Sequence, residues 1–153
     1  MSDTNLIIVT GPTAAGKTLF AAHLAKLLNS EIISADSRQV YKEMNLGTGK
    51  DYDDYIVSGE KIRYHLIDIH EPGYKYNVFE FQQDFAKVFE DIQSRNKIPM
   101  LVGGTGMYIE AVTKGYKLVS VPVNEPLRLE LEKKDLSELV AILEGIKTDL
   151  HNS

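Results

Sequence analysis

Short apolar runs alternate along the chain with longer stretches in which apolar residues recur every three or four positions. The short runs are rich in branched residues and bounded by polar residues or glycine, which favours buried strands of a parallel sheet. They predict four strands, at residues 6–9, 31–35, 62–69 and 98–102. Strands that alternate with helices in this way predict an α/β domain, doubly wound around a mainly parallel sheet.

Two of the longer stretches predict helices with one buried face each. The first covers residues 17–29, and its apolar positions share one stripe: Leu19, Phe20, Leu24, Leu27 and Leu28. His23 lies on the same stripe, so we expect it in the core rather than bound to a ligand. The second covers residues 78–96 behind the capping residue Asn77, and its inward face is predicted to be Phe81, Phe85, Val88, Phe89 and Ile92. A third helix is expected after a glycine cluster and ends near Thr113.

The remaining regions show weaker patterns. Residues 37–59 lose periodicity and mix glycines with Asp and Tyr, so we predict a functional loop with at most one helical turn. An extended linker then leads to two predicted helices, at 125–134 and 135–143. We therefore divide the chain into an α/β core at 1–118 and a helical region at 119–153. Four strands followed by an isolated helical pair suggest a piece of a longer protein.

Composition narrows the class of protein. The chain has 153 residues, of which 43% are hydrophobic and 25% are charged, as in an ordinary soluble domain. It contains no cysteine, which excludes disulfides, thiol catalysis and thiolate metal sites. No secretion signal or membrane-length apolar run is visible, so we expect a cytoplasmic protein with no membrane partner, and we expect a monomer. The net charge of −5 argues against nucleic acid, because phosphate-backbone binding usually leaves a basic footprint.

Residues 11–18, called the phosphate loop from here on, form the strongest single motif. They read GPTAAGKT, which matches G-x-x-x-x-G-K-[ST] between a predicted strand and a predicted helix. In such a loop, backbone N–H groups point inward at phosphate oxygens, the lysine adds a point charge and the last hydroxyl can bind Mg²⁺. The predicted phosphate-binding residues are Gly11, Pro12, Thr13, Ala14, Ala15, Gly16, Lys17 and Thr18. The motif indicates a polyphosphate but does not say which one.

Asp36 follows the second predicted strand, at the edge of the sheet where the phosphate loop also lies. A carboxylate there can hold magnesium or take a proton from a nucleophile, or it can simply cap the next turn. Arg38 and Gln39 come directly after it and can contact a base edge or a phosphate.

Two further candidates lie at the ends of later strands. Asp68 ends the third predicted strand, where it can orient magnesium or bond the following turn. The glycines at 103–106 suggest a close backbone approach, and Thr105 among them can offer a hydroxyl to a ligand.

Four segments, in this order and spacing, resemble the tRNA dimethylallyltransferases, also called tRNA isopentenyltransferases. They are GPTAAGKT, EIISADSRQVYKEMNLGTGK, HLIDIHEP and PMLVGGTGMY. The match runs from about Leu6 to Tyr116, and SADSRQVY is far more specific than the phosphate loop. The resemblance implies a P-loop NTPase-like fold. It also implies transfer of a dimethylallyl group from dimethylallyl diphosphate to N6 of the adenosine next to the tRNA anticodon.

The resemblance also implies roles for individual residues. Asp36 would be the general base, and Lys17 and Thr105 would complete the catalytic set. Thr18 would hold Mg²⁺, with Asp68 as a second candidate ligand. Contacts to the anticodon stem-loop would come from Asp36, Ser37, Arg38, Gln39, Thr105 and Arg128. Residues 119–153 would begin a helical tRNA-binding insertion that family members continue well beyond this length, and LGTGKD departs from the family's usual Ala-Lys-Pro ending.

Three other functions remain open at this point. An enzyme that prenylates free adenine nucleotides would use the same motifs, and the acidic charge fits it slightly better. A small-molecule kinase would use the phosphate loop for ATP. A non-catalytic nucleotide-binding module would need no catalytic acid, so replacing Asp36 would leave every activity intact.

Overall fold

The computed structural model describes residues 5–120 and 122–146. The chain divides into two compact units, Met1–Leu118 and Val119–Ser153. Residue 121 of the predicted linker and residues 147–153 of the predicted helical region lie outside the described residues.

The first unit is built on a four-stranded parallel sheet with the spatial order β1-β6-β2-β5. Its strands are β1 (Ile7–Thr10), β2 (Glu31–Ser34), β5 (Tyr64–His65) and β6 (Pro99–Gly103). The helices are α1 (Lys17–Leu28), α2 (Val78–Ser94) and α3 (Gly106–Thr113). This architecture confirms the predicted α/β class, and it brings the carboxyl ends of β1, β2 and β6 to one edge.

Helices cover both faces of the sheet. Ile32 of β2 and Met100 of β6 belong to the cluster under α1, whereas their neighbours Ile33 and Leu101 belong to the cluster under α2 and α3. Because successive side chains of a strand point to opposite faces, both faces must be apolar, which explains the unbroken apolar runs in the sequence.

The prediction for the buried face of α1 is wrong except at Leu24, which is partly buried against the cluster under this helix. The helix buries Ala21, Ala22 and Ala25, while Phe20 is 61% exposed and Leu27 is 82% exposed. His23 is also exposed, with Nδ1 2.9 Å from the carbonyl oxygen of Leu19. Small side chains let the helix lie close against the sheet, so the alanines rather than the larger residues form the contact.

The predicted third strand is also shorter than expected. Only Tyr64–His65 pairs with β2, and the chain then turns through left-handed conformations at Leu66 (φ 62°) and Asp68 (φ 56°). The following segment bonds to residues 39–42 instead of to the sheet. The sequence patterns did not reveal a short antiparallel hairpin, whose first strand β3 (Ile56–Val57) lies in the loop predicted at 37–59 and whose second strand β4 (Glu60–Lys61) follows that loop.

The prediction of α2 is confirmed in its cap and its core face. Asn77 accepts the N–H of Glu80 while the Glu80 carboxylate accepts the N–H of Asn77, which satisfies two free donors at once. Phe81, Phe85 and Ile92 are buried.

The second unit contains the helices α4 (Glu125–Leu131) and α5 (Leu136–Ile146), close to the predicted pair. Asn124 caps α4 by accepting the N–H of Leu127. Among the described residues, no helix combines the length and the apolar character needed to cross a membrane.

Candidate active site

The carboxyl ends of β1, β2 and β6 open into one cavity of about 550 Å³ within the first unit. Its walls are the phosphate loop, the turn after β2, the turn after β6 and part of the segment 47–55. Because parallel strands end together, residues far apart in sequence meet here, as is usual for ligand sites in open α/β sheets.

The phosphate loop has the curled backbone that its motif predicts. Gly16 adopts φ 71° as the residue directly before α1, and Ala14 is left-handed although it carries a side chain. Within the described residues, no acceptor lies within hydrogen-bond distance of the backbone N–H groups of residues 13–18. The Lys17 ammonium donates to the carbonyl of Pro12 at 2.6 Å. Free N–H groups at a helix N-terminus, beside a lysine, form a ready site for an anion.

Asp36 follows β2 directly and faces the same cavity. Its Oδ1 accepts the N–H of Arg38 at 2.9 Å, while Oδ2 has no partner among the described residues. One oxygen therefore orients the carboxyl group, and the other is free to accept a proton from a bound ligand.

The turn after β6 is joined to Asp36 through its neighbours. The N–H of Thr105 donates to the carbonyl of Ala35 at 3.1 Å, and the Thr105 hydroxyl accepts the N–H of Ser37 at 3.1 Å. Gly103 lies so close that a Cβ added there would be 2.3 Å from the Ala35 carbonyl oxygen. Gly103 therefore serves the close approach of two strand ends, and the turn that follows it places Thr105 beside the acid.

The residues after Asp36 divide into two kinds. Ser37 and Arg38 line the cavity and are exposed, so a ligand can reach both. Gln39 also lines the cavity but is buried. Its Oε1 accepts the Ser34 hydroxyl at 2.9 Å, and its Nε2 donates to the Gly49 carbonyl at 3.1 Å. The side-chain amide of Gln39 is thus already used within the protein.

Asp51, Asp54 and Tyr55 line the cavity as well, and sequence reasoning did not assign them to the site. Tyr55 is buried, which raises the pKa of its hydroxyl, while contact with Thr18 acts in the opposite direction. Burial and the neighbouring Asp51 and Asp53 raise the pKa of Asp54. The signal that could have identified them is the run DYDDY, placed in a loop already predicted to be functional.

Asp68 does not line the cavity. Its Oδ1 is 2.6 Å from the Lys50 ammonium, and its Oδ2 accepts the Tyr52 hydroxyl at 2.6 Å, a bond that raises the pKa of Tyr52 to about 12. Both carboxylate oxygens are thus engaged by the protein, which leaves Asp68 poorly placed for magnesium. Arg128, the other distant candidate, is exposed on α4 in the second unit.

The cavity contains oxygen atoms that can act as magnesium ligands. The Thr18 hydroxyl and the carboxylates of Asp36 and Asp54 are all among its lining groups. In the part of the chain that the structure describes, no cluster of three or more His, Asp or Glu side chains could hold a metal alone. This donor set still fits Mg²⁺, because the ion is commonly bound by one or two protein oxygens together with ligand phosphates and water.

The model of the IPP transferase family matches residues 39–153. The chain belongs to this family. Among relatives, it is 62% identical to tRNA dimethylallyltransferase 1 of Parabacteroides distasonis over 99% of this chain and 49% of that protein. It is 60% identical to tRNA dimethylallyltransferase 2 of Bacteroides fragilis over 100% of this chain and 50% of that protein. The chain thus spans about half the length of the curated relatives it matches.

Solved structures of IPP transferases share the fold. The full-length tRNA isopentenylpyrophosphate transferase of Bacillus halodurans is 36% identical, with a TM-score of 0.71 over 96% of this chain and 49% of that one. A eukaryotic dimethylallyltransferase, described as acting on tRNA, is 29% identical, with a TM-score of 0.73 over 92% of this chain and 35% of that one. The resemblance inferred from the four sequence segments is confirmed.

Proposed function

We propose that this chain is the catalytic part of an enzyme that prenylates tRNA. It would transfer a dimethylallyl group from dimethylallyl diphosphate to N6 of the adenosine next to the anticodon, releasing diphosphate. The observation that carries this proposal is the placement of Asp36, with one carboxylate oxygen free, in the same cavity as an open phosphate loop. Because the chain belongs to the IPP transferase family, we interpret the loop as the site of the diphosphate donor and Asp36 as the base.

The phosphate loop would hold the leaving group. The free N–H groups of residues 13–18 and the Lys17 ammonium face the cavity, where negative charge grows as diphosphate departs. Groups that are fixed before the reaction stabilise that charge without reorganising, and this is commonly the largest single contribution to catalysis.

Asp36 would act on the acceptor. The exocyclic amine of adenine is a weak nucleophile because its lone pair is delocalised into the ring, so the allylic carbon must gain positive charge as its bond to oxygen breaks. The free Oδ2 of Asp36 can remove the amine proton as the new C–N bond forms, while Oδ1 stays bonded to Arg38. Thr105 contributes by fixing Ser37 and Ala35 on either side of the acid.

Magnesium would bind at Thr18, with the Asp54 carboxylate as a further oxygen ligand among the residues that line the cavity. When bound, the ion neutralises charge on the diphosphate.

The tRNA would meet the mouth of the cavity through Ser37 and Arg38, which are exposed there. The target adenine must leave the anticodon-loop stack to reach Asp36, at a cost of a few kcal/mol. Arg128 is a further proposed contact from the second unit. The negative net charge of this chain makes a basic surface elsewhere in the protein necessary for tight tRNA binding.

The decisive experiment uses the full-length protein with labelled dimethylallyl diphosphate and three acceptors: tRNA, AMP and buffer alone. We expect label in tRNA only, and we expect Asp36→Asn to reduce the rate by about 10²–10⁴-fold while inorganic diphosphate still binds. The control is Glu90→Gln, because Glu90 is exposed on α2 and does not line the cavity. Label in AMP would favour a free-nucleotide prenyltransferase, and phosphate transfer from ATP would favour a kinase. An unchanged rate in Asp36→Asn would refute the proposed mechanism.

A further inference from the structure

The buried side chain of Lys50 stabilises one wall of the cavity, formed by residues 47–51. Gly47, Thr48, Gly49 and Asp51 line the cavity, and Lys50 between them points the other way, with a side chain that is 0% exposed. Its ammonium is 2.6 Å from Asp68 Oδ1 and also donates to the carbonyl of Tyr41. An ammonium without access to water depends on such partners for its solvation.

Asp68 connects this wall to the rest of the site. Its Oδ2 accepts the Tyr52 hydroxyl at 2.6 Å, and its backbone N–H donates to the carbonyl of Gln39 at 3.0 Å. Asp68 also adopts a left-handed conformation, with φ 56°. Such a conformation costs free energy and persists where surrounding bonds determine it. Asp68 therefore joins three segments: the turn after β5, the wall at 47–51 and the turn that carries Asp36.

The side chain of Gln39 bonds the same wall to β2. Its Nε2 donates to the carbonyl of Gly49, while its Oε1 accepts the hydroxyl of Ser34 at the end of β2. Residues 48–50 are thus bonded to the strand that leads to Asp36 through the Gln39 side chain, and to the turn that contains Asp68 through the Lys50 side chain. This arrangement leaves little freedom for the wall to move independently of the catalytic acid.

We propose that Lys50 and Asp68 are positioning residues whose buried ion pair fixes residues 47–51 as a wall of the cavity that receives the diphosphate donor. On this view, the carboxylate of Asp68 binds Lys50 and not magnesium. The kinetic part of the inference rests on the proposed prenyl transfer, whereas its structural part can be tested without that activity.

The unequal burial of the pair makes the proposal specific. Lys50 is fully buried, but the Asp68 side chain is 31% exposed. Asp68→Asn leaves the Lys50 ammonium buried without its anionic partner. Lys50→Met leaves the Asp68 carboxylate without its cationic partner, but water can still reach that carboxylate. Asp68→Asn should therefore be the more harmful change. The double variant should recover, because a neutral pair has no charge to solvate.

The test measures hydrogen exchange of residues 44–52 and binding of inorganic diphosphate by calorimetry, both in the full-length protein. In Asp68→Asn we expect exchange at least about tenfold faster and diphosphate affinity at least about tenfold weaker. Lys50→Met should show smaller changes in both, and Lys50→Met/Asp68→Asn should lie closer to wild type than Asp68→Asn. In the prenyl-transfer assay, Asp68→Asn should raise KM for the donor more than it lowers kcat.

The matched control is Lys42→Met. Lys42 forms a pair of the same kind with Glu71, also at 2.6 Å, but both side chains are largely exposed and neither lines the cavity. We expect wild-type exchange and affinity from this variant. If Asp68 were instead a magnesium ligand, Asp68→Asn would raise the half-saturating Mg²⁺ concentration and the double variant would not recover. That result, or unchanged exchange at residues 44–52 in Asp68→Asn, would overturn the proposal. Absence of prenyl transfer from the wild type would refute the proposed function and leave the exchange and binding results as the test of the pair.

Discussion

Replacing Gly103 with alanine should move the catalytic acid without touching it. A Cβ at this position would lie 2.3 Å from the Ala35 carbonyl oxygen and 2.5 Å from its carbonyl carbon. Carbon–oxygen contacts need roughly 3.4 Å, so one backbone must move by about 1 Å. Ala35 is fully buried between β2 and β6 and immediately precedes Asp36, so the displacement has no free volume to absorb it.

The magnitude follows from the bonds around that contact. Ala35 donates its N–H to the carbonyl of Val102 at 2.7 Å and accepts the N–H of Thr105 at 3.1 Å. Weakening both bonds costs about 1 kcal/mol each, and overpacking adds about 1–3 kcal/mol. We therefore expect Gly103→Ala to lower the free energy of unfolding by about 3–5 kcal/mol. A shift of about 1 Å in Asp36 should reduce kcat by about 10²-fold.

The assay combines chemical denaturation with single-turnover prenyl transfer in the full-length protein. Gly106→Ala is the control, since a Cβ there meets nothing within 4 Å and alanine suits the first residue of α3. Gly104→Ala is a second control for stability alone, because Gly104 lines the cavity but its Cβ would make only an ordinary contact, at 3.6 Å from the carbonyl oxygen of Gly11. Wild-type stability and kcat in Gly103→Ala would show that the two strand ends are not as rigidly coupled as we infer.

Three other substitutions test separate parts of the structure. Lys17→Ala should weaken binding of inorganic diphosphate by about 10–100-fold in calorimetry, whereas Lys61→Ala, outside the cavity lining, should not. Burial would raise the pKa of Glu31, but hydrogen bonds led by His65 outweigh it and lower the pKa to about 2. The resulting stability, about 3 kcal/mol, should be complete above pH ~5 and lost as the pH falls towards 2. The melting temperature should therefore depend less on pH in Glu31→Gln than in the wild type. An equal pH dependence of the melting temperature in both proteins would contradict this. Leu27→Gln should leave the unfolding free energy within about 0.5 kcal/mol of wild type, since Leu27 is 82% exposed; a larger loss would show that it is buried in solution.

The sequence predicted the elements whose pattern reflects local chemistry. The phosphate loop could be located because its glycines and lysine must stand at fixed spacing between a strand and a helix. The cap of α2 could be identified for a similar reason, since Asn77 and Glu80 bond each other within one turn. The position of Asp36 at the cavity followed from the rule that parallel strands end at a common edge.

Features decided by distant contacts were missed or misassigned. The buried face of α1 could not be identified from hydrophobicity, because alanines were selected there by the closeness of the sheet rather than by their own apolar area. The sequence could not decide between a magnesium ligand and a turn-bonding residue at Asp68, because its bonds to Lys50 and Tyr52 join residues 18 and 16 positions away. Tyr55 reaches the cavity only because the turn that carries it packs on α1.

The burial of Gln39 changes how experiments on this segment should be interpreted. Its neighbours Ser37 and Arg38 are exposed at the cavity, but its own amide joins β2 to Gly49. A substitution at Gln39 would reduce RNA retention by deforming the pocket entrance, and the phenotype would look the same as the loss of a direct contact. Screens for recognition residues should therefore pair each RNA-binding defect with a measure of local order before assigning an interface.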